Sequence, residues 1–464
     1  MTLPRLSLWN DYSWAVLVGV VIGVACLFSP VIAFGLIAGI AFLVIALRAP
    51  IILCYVVIAA TVFLSGMPRG HLISLFIPNE PILVMSAGLA FFAITVRRDK
   101  VSYPPMFLLA LLTFIGGTAI VPVLAYFARG FSLNMSDVFS LVAPVQYLVL
   151  VWMFSQLPRN DAERHGILQF MLLCASGVAF IGLLQAVNFG PVANLLSQWY
   201  PSSHQTEAAD LGRVTSVLGA WNSLGNYLMI ALLIIIAMQG YKRTLLANLN
   251  MLVALALTGA CLLASGSYAS LIGLVLGVMV IKGVFDRHGM KILLLLAIGF
   301  LVAAVVLQTQ ISERLGYQFR NGGLIPETLA YRFIVWQQIY LPIIGKHLIW
   351  GVSPTFAGYV TWGWAESQYL YLLFRSGLMS LLAHITFVTL LMVWAYRHVR
   401  SDAALGRMLA IVLFTILLVL SIMGFTNEVF TSSGAIDYLW MIVGLVAGTE
   451  RVVTNARTSF SGVE

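Results

Sequence analysis

Runs of about 20 apolar residues, separated by short polar or charged clusters, recur along the whole chain. Residues 14–47 contain no charged side chain, which is length enough for two crossings back to back, and residues 108–127 and 245–264 are equally free of charge. An α-helix of about 20 apolar residues spans the hydrocarbon core of a bilayer and satisfies its own backbone hydrogen bonds there. The runs lack the alternation, about ten residues at a time, of a membrane β-barrel. The pattern therefore predicts an all-α integral membrane protein, residues 1–464 forming a single polytopic domain with about 14 transmembrane helices. The spans are expected at roughly 14–29, 31–47, 50–66, 81–96, 104–125, 138–157, 166–188, 214–239, 245–264, 268–285, 291–309, 366–396, 406–423 and 437–450. The tight pairs near 30 and 265 set the range at about 12–14. The first apolar run has no convincing small-residue cleavage site and flows into a second, so it is expected to stay as a span.

Two polar segments are longer than the rest. Residues 189–213 mix Asn, Ser, Gln, His and acids and read as a loop. Residues 310–365 are longer still, and within them Leu329, Phe333, Trp336 and Ile339/Tyr340 fall at helical spacing. A helix over 327–344 would lie on the membrane surface or cap the bundle. Loops of this length usually serve as lids or binding elements. Neither a separate soluble domain nor an internal repeat is evident.

Composition sharpens this picture. The chain is 61% hydrophobic and 9% charged, against about 25% charged in ordinary globular proteins, so lipid must be its main solvent. The net charge of +8 would suit nucleic acid if it formed a patch. Instead the basic residues lie in small groups between apolar runs, as in Arg97-Arg98-Asp99-Lys100, Lys242-Arg243, Lys282…Arg287…Lys291 and Arg397…Arg400…Arg407. No nucleic-acid partner is expected; the lipid bilayer is. With both termini in the cytoplasm, 17 of the 25 basic residues fall on the inner side, where the positive-inside rule wants them. The eight left outside are Arg69, Arg129, Arg213, Arg314, Arg320, Arg332, Lys346 and Arg375. Cys26, Cys54, Cys174 and Cys261 fall inside apolar runs without metal-ligand or disulfide spacing and read as small packing residues.

The candidate chemistry gathers at the outer side, near the long loops. Arg213 precedes a span in Gly212-Arg213-Val214-Thr215-Ser216, Arg332 lies on the expected loop helix, and Glu366 opens the twelfth span in Trp364-Ala365-Glu366-Ser367-Gln368-Tyr369. Guanidinium forks bind phosphate oxygens in pairs, and a carboxylate beside them would accept a proton from an incoming hydroxyl. Each residue also has a plainer reading. Arg213 would serve as an interfacial anchor, Arg332 would pair with Glu327 or Glu313, and Glu366 would be a helix N-terminal acid favoured by the dipole. Arg375 lies two to three turns into an apolar run, where a charge is either functional or paired, here with Glu428 or Asp437. His204 and His347 read as solvated loop residues. The aromatic residues over 359–371 form an interfacial belt or a surface for sugar rings.

The order and spacing of these motifs resemble the O-antigen ligase/polymerase superfamily. The resemblance rests on Arg332-Phe333-Ile334-Val335-Trp336, Pro342…Gly345…Trp350-Gly351, Glu366-Ser367-Gln368-Tyr369-Leu370 and Gly377-Leu378. Upstream, Arg213-Val214-Thr215-Ser216-Val217-Leu218 with Asn222 and Asn226-Tyr227-Leu228 resembles the family's other arginine motif. It covers about residues 210–380; the first 200 match in hydropathy alone. It implies a GT-C-like glycosyltransferase of the bacterial inner membrane, with its active site facing the periplasm and needing neither metal nor cofactor. Undecaprenyl-diphosphate-linked oligosaccharide would be the donor, with Arg213 and Arg332 on the diphosphate and Glu366 as base. Trp336, Gln368, Tyr369 and Asn222 would contribute to substrate binding. A chain-length regulator or other polysaccharide-assembly proteins are the partners it suggests. Two departures favour a polymerase over a ligase to lipid A–core. Glu366 stands where such ligases usually carry His, and Ser267 is followed by Tyr268 where many members carry Arg, a loss for which Arg375 or Arg320 would substitute. Transfer to lipid A–core or a protein acceptor is the nearest alternative, and a transporter or lipid flippase the alternative of another class.

Overall fold

The computed structural model describes residues 43–71, 76–97, 102–130, 135–201, 212–242, 249–284, 316, 327–352, 365–400, 403–432 and 434–460. The expected spans 14–29 and 291–309, most of 31–47, Cys26, His204 and Arg320 lie outside the described residues. What is described is helical, with no strand. The elements run α1 (Ile51–Leu64), α2 (Asn79–Arg97), α3 (Pro105–Ala128, with one π-turn at Gly116–Ile120), α4 (Met135–Gln156), α5 (Asp161–Ala186) and α6 (Gly190–Trp199). They continue with α7 (Trp221–Lys242), α8 (Leu249–Ser265), α9 (Tyr268–Met279), α10 (Glu327–Val335), α11 (Leu341–Lys346), α12 (Gln368–His398), α13 (Ala404–Met423) and α14 (Ala435–Phe460). Six of the described helices are long and apolar enough to cross a membrane, and four shorter ones are also apolar. The protein is a multi-pass helical membrane protein.

The helices differ in what surrounds them. In α7, 83% of the apolar window is buried inside the protein, against 28% in α2 and in α3. A helix that is apolar all round belongs at a bundle centre, and α7 packs against α8, α9, α13 and α14. The α2 and α3 helices instead turn Phe91, Phe92, Leu112 and Leu124 outward, as lipid-facing helices do. An aromatic cluster locks α3, α4, α12 and α14 together. Trp440 stacks on Tyr147 and Phe387 at centroid distances of 5.7 and 5.5 Å, and Phe114 approaches it at 4.6 Å. Cys54, Cys174 and Cys261 are buried free thiols, as packing residues should be.

Two segments depart from expectation. The first is α6, inside the stretch that reads as a loop. Gly190-Pro191 opens it, Pro being well placed in a first turn. Val192, Leu196 and Trp199 then face the core, and the Tyr200 hydroxyl donates to the Phe63 carbonyl at 2.6 Å. The second is α12. Its 31 residues include a break at Ser376 (φ −150°, ψ 17°) and Gly377 (φ 70°, ψ −163°). The part beyond it, 378–398, rises about 31 Å at 1.5 Å per residue, the thickness of one bilayer core. The part before it belongs to the loop end of the bundle, so Arg375 lies at the elbow rather than deep in a span.

Helices α10 and α11, joined by a π-turn at Trp336–Tyr340, dock on that first part of α12. They share a small apolar core of Val335, Tyr340, Ile344, Val352, Ala365 and Phe374. Beside it two backbones meet without side chains between them. The Val352 N–H donates to the Phe374 carbonyl at 2.6 Å and the Leu378 N–H to the Leu348 carbonyl at 2.7 Å. Gly351 and Gly377 both have φ of 70°, and a Cβ on Gly377 would fall 2.2 Å from the Ile349 carbonyl oxygen. Arg129, at the end of α3, closes the joint by donating to the carbonyls of Gly351 and Val352 at 2.7 and 2.6 Å. Gly377→Ala adds both a backbone collision and an unfavourable φ, and is expected to cost about 3 kcal/mol or more. Labelling of the buried cysteines by a thiol-reactive dye during heating would show unfolding several degrees below the parent protein; an unchanged profile would contradict this role.

Candidate functional site

The site forms where the α10–α11 lobe, the N-terminus of α12 and the turn between α13 and α14 converge. Arg332, in the last turn of α10, donates its Nε–H to Oε2 of Glu366. Arg332 thus finds Glu366 across the loop rather than Glu327 on its own helix. Their side chains are 24% and 30% exposed, so a ligand reaches both. An ion pair this open is worth at most about 1 kcal/mol. It is too weak to be what docks the lobe, a task the buried Tyr340 and Phe374 perform.

Glu366 does not open the helix. It precedes the N-cap Ser367 and has a left-handed φ of 49°. A non-glycine residue held there costs about 1–3 kcal/mol and persists when its surroundings fix it from several sides. They do so here. Trp336 Nε1–H donates to the Ala365 carbonyl at 2.8 Å, and the Glu366 N–H donates to Glu428 Oε1 at 3.1 Å. The Gln368 N–H donates to the carbonyls of Gly424 and Asn427 at 2.8 and 3.2 Å. Gln368 Oε1 accepts from the Phe430 N–H at 3.1 Å, and the Tyr369 hydroxyl donates to the Ser421 carbonyl at 2.6 Å. Trp336, Gln368 and Tyr369, expected at the substrate, thus also brace the segment that carries Glu366.

Glu428 is the residue the sequence did not single out for this site. It occupies the turn between α13 and α14, 62 positions after Glu366, with no motif around it. Burial raises its carboxyl most, and the charge of Glu366 raises it further; the N–H groups of Glu366 and Ala365 pull the other way, and the result is a carboxyl pushed up to about 7. Tyr340, fully buried, is raised first by burial and then by the same two carboxylates. Among the described residues no group of three or more His, Cys, Asp or Glu side chains is set to hold a metal ion; here the acids stand as a pair.

Arg213 belongs to a neighbouring cluster. Its guanidinium lies over the Trp221 ring at 4.9 Å. The backbone after it is held by Gln185, whose Oε1 accepts from the N–H groups of Thr215 and Ser216 at 3.1 and 2.8 Å. No hydrogen bond or ion pair joins Glu366 to Arg213 among the described residues. A buried polar chain links the two regions instead. Ser270 donates to Asn226 Oδ1 at 2.8 Å, and the single hydroxyl hydrogen of Ser267 goes either to Ser270 at 2.8 Å or to Asn222 Oδ1 at 3.5 Å. Asn226 then donates to Ser432 at 3.0 Å, whose hydroxyl donates to the Glu428 carbonyl at 3.4 Å. Ser267, where a Ser-Arg pair would have been a cation, is here part of this chain. Arg375 donates to the Tyr371 hydroxyl one turn earlier in α12 at 3.0 Å and to the Thr118 carbonyl of α3 at 3.4 Å, rather than to Glu428 or Asp437.

No family model matches the sequence, and no curated protein matches it.

The raised carboxyl of Glu428 has a consequence for stability. Between the ordinary carboxylate value and about 7 the folded protein keeps a proton that the unfolded chain releases, so stability falls as pH rises through that window and levels off above it. Thermal unfolding in detergent from about pH 5 to about pH 8 should show that decline in the parent protein and a flatter profile in Glu428→Gln. Equal slopes would contradict the assignment.

Proposed function

We propose that this protein is a membrane glycosyltransferase that polymerises undecaprenyl-diphosphate-linked oligosaccharide repeat units at the periplasmic face of a bacterial inner membrane. The single observation that carries the reading is the pairing of Arg332 with Glu366 at an open site, beside a second carboxylate, Glu428. The residues suit a lipid-linked diphosphate donor. Arg332 keeps its Nε–H on Glu366 and turns its other two guanidinium nitrogens to the departing diphosphate, since a guanidinium fork binds phosphate oxygens in pairs. Arg213, half-supported by the Trp221 face, is the second cation of this reading. A carboxylate takes the acceptor hydroxyl proton, and Glu366 is the one the sequence motif points to. The acceptor oxygen bonds to the anomeric carbon with inversion while the carbon–phosphate-oxygen bond breaks and its electron pair stays on the diphosphate. Fixed charges aimed at a leaving group that gains charge are commonly the largest catalytic contribution. The donor is already activated, so no nucleotide enters the step.

Arg332→Ala is expected to abolish long polymer, a loss of at least about 100-fold, while the protein accumulates normally in the membrane. Surface polysaccharide resolved by gel in a strain depending on the variant checks this, and an unchanged chain-length ladder at equal protein level would overturn the reading.

A further inference from the structure

The site holds two carboxylates and one guanidinium, and the two carboxylates are not equivalent. Glu366 has Oε2 engaged by Arg332. Taking a proton there would dissolve the ion pair that positions Arg332. Glu428 has Oε1 on the Glu366 N–H and no cationic partner among the described residues. Its neighbours from each packed element are few: Glu366 and, beyond it, Arg332 from the α10–α12 side, Tyr340 from the π-turn after α10, and Gln368 from the first turn of α12. On the α14 side, Asp437 accepts from the Gly434 N–H at 3.1 Å. A proton arriving on Glu428 relieves the repulsion between two adjacent carboxylates and leaves the Arg332–Glu366 pair intact.

Resting on the glycosyl-transfer reading above, we propose that Glu428 is the residue that takes the acceptor hydroxyl proton, and that Glu366 is the positioning residue that holds Arg332 at the diphosphate. In that step the acceptor O–H bond breaks and an O–H bond forms on Glu428. The freed oxygen bonds to the anomeric carbon, the bond from that carbon to the diphosphate oxygen breaks, and the diphosphate keeps the electron pair. Glu428 returns its proton to water or to the departing diphosphate before the next turn. A base serves best when its own proton affinity matches the working pH, which burial and the nearby carboxylate bring about for Glu428. The Glu366 N–H bond ties the two roles together, because the backbone of the residue that positions the arginine also fixes the direction of the base.

The test compares Glu428→Gln, Glu428→Asp and Glu366→Gln as full-length purified proteins. Glutamine keeps an acceptor for the Glu366 N–H, so the brace should survive. With undecaprenyl-diphosphate oligosaccharide as probe, Glu428→Gln should lower kcat by about 100-fold or more, leave KM for the donor little changed and erase the acidic limb of the pH–rate profile. Glu428→Asp should recover part of the rate, and Glu366→Gln should raise KM while keeping the limb. Without substrate, a protonated-carboxyl infrared band titrating near neutral pH should appear in the parent and in Glu366→Gln and be missing from Glu428→Gln. If the parent makes product and Glu428→Gln keeps its rate and its acidic limb, or if the band persists in Glu428→Gln, this proposal falls while the transferase reading stands. If the parent makes no product under any condition, the transferase reading falls and takes the proposal with it.

Discussion

The contact on which the rest depends is the meeting of two backbones at Gly351 and Gly377. A helix of 31 residues is too long for one crossing, and the break at Ser376–Gly377 divides it into a membrane span and a segment beyond it. With no side chains between them, the turn after α11 comes close enough for Val352 and Leu378 to complete hydrogen bonds across the joint. Arg129 then caps the buried carbonyls of Gly351 and Val352 from the end of α3. Everything at the site follows from this joint. It sets the lobe against the first turns of α12, and so brings Arg332 to Glu366 and Trp336 to the Ala365 carbonyl.

The energetics separate scaffold from chemistry. The lobe is held by buried apolar and aromatic groups and by backbone hydrogen bonds, which do not respond to charge. The ion pair at its edge contributes little to that docking; it orients Arg332 rather than holding the lobe. Glu366, one of three non-glycine residues with a positive φ among those described, has its left-handed backbone fixed by Trp336 on one side and by the α13–α14 turn on the other. A rigid frame around a solvent-reachable cation would suit the diphosphate binding proposed above.

Much of this was legible in the sequence. Charge-free runs announced the helices, spacing at Leu329, Phe333 and Trp336 announced a helix in the long loop, and the motif residues Arg332 and Glu366 proved to be neighbours. The break in α12 was hidden because apolar residues resume directly on both sides of Arg375-Ser376-Gly377, and glycine alone does not reveal a positive φ. Helix α6 was hidden by its polar composition, although Pro191 and the Val192–Leu196–Trp199 spacing carried a signal. Glu428 had none, since an acid in a loop acquires its character from what folding places around it. Gln368 and Tyr369 also brace the segment that carries Glu366, a role that motif position does not show.

The most direct test of the account is to supply the purified protein with a defined undecaprenyl-diphosphate oligosaccharide as both donor and acceptor, and to resolve the products by gel and mass spectrometry. The account predicts a ladder rising in steps of one repeat unit. Glycan transferred only once lipid A–core or a protein acceptor is added would contradict polymerisation, and no turnover under either condition would contradict glycosyl transfer altogether.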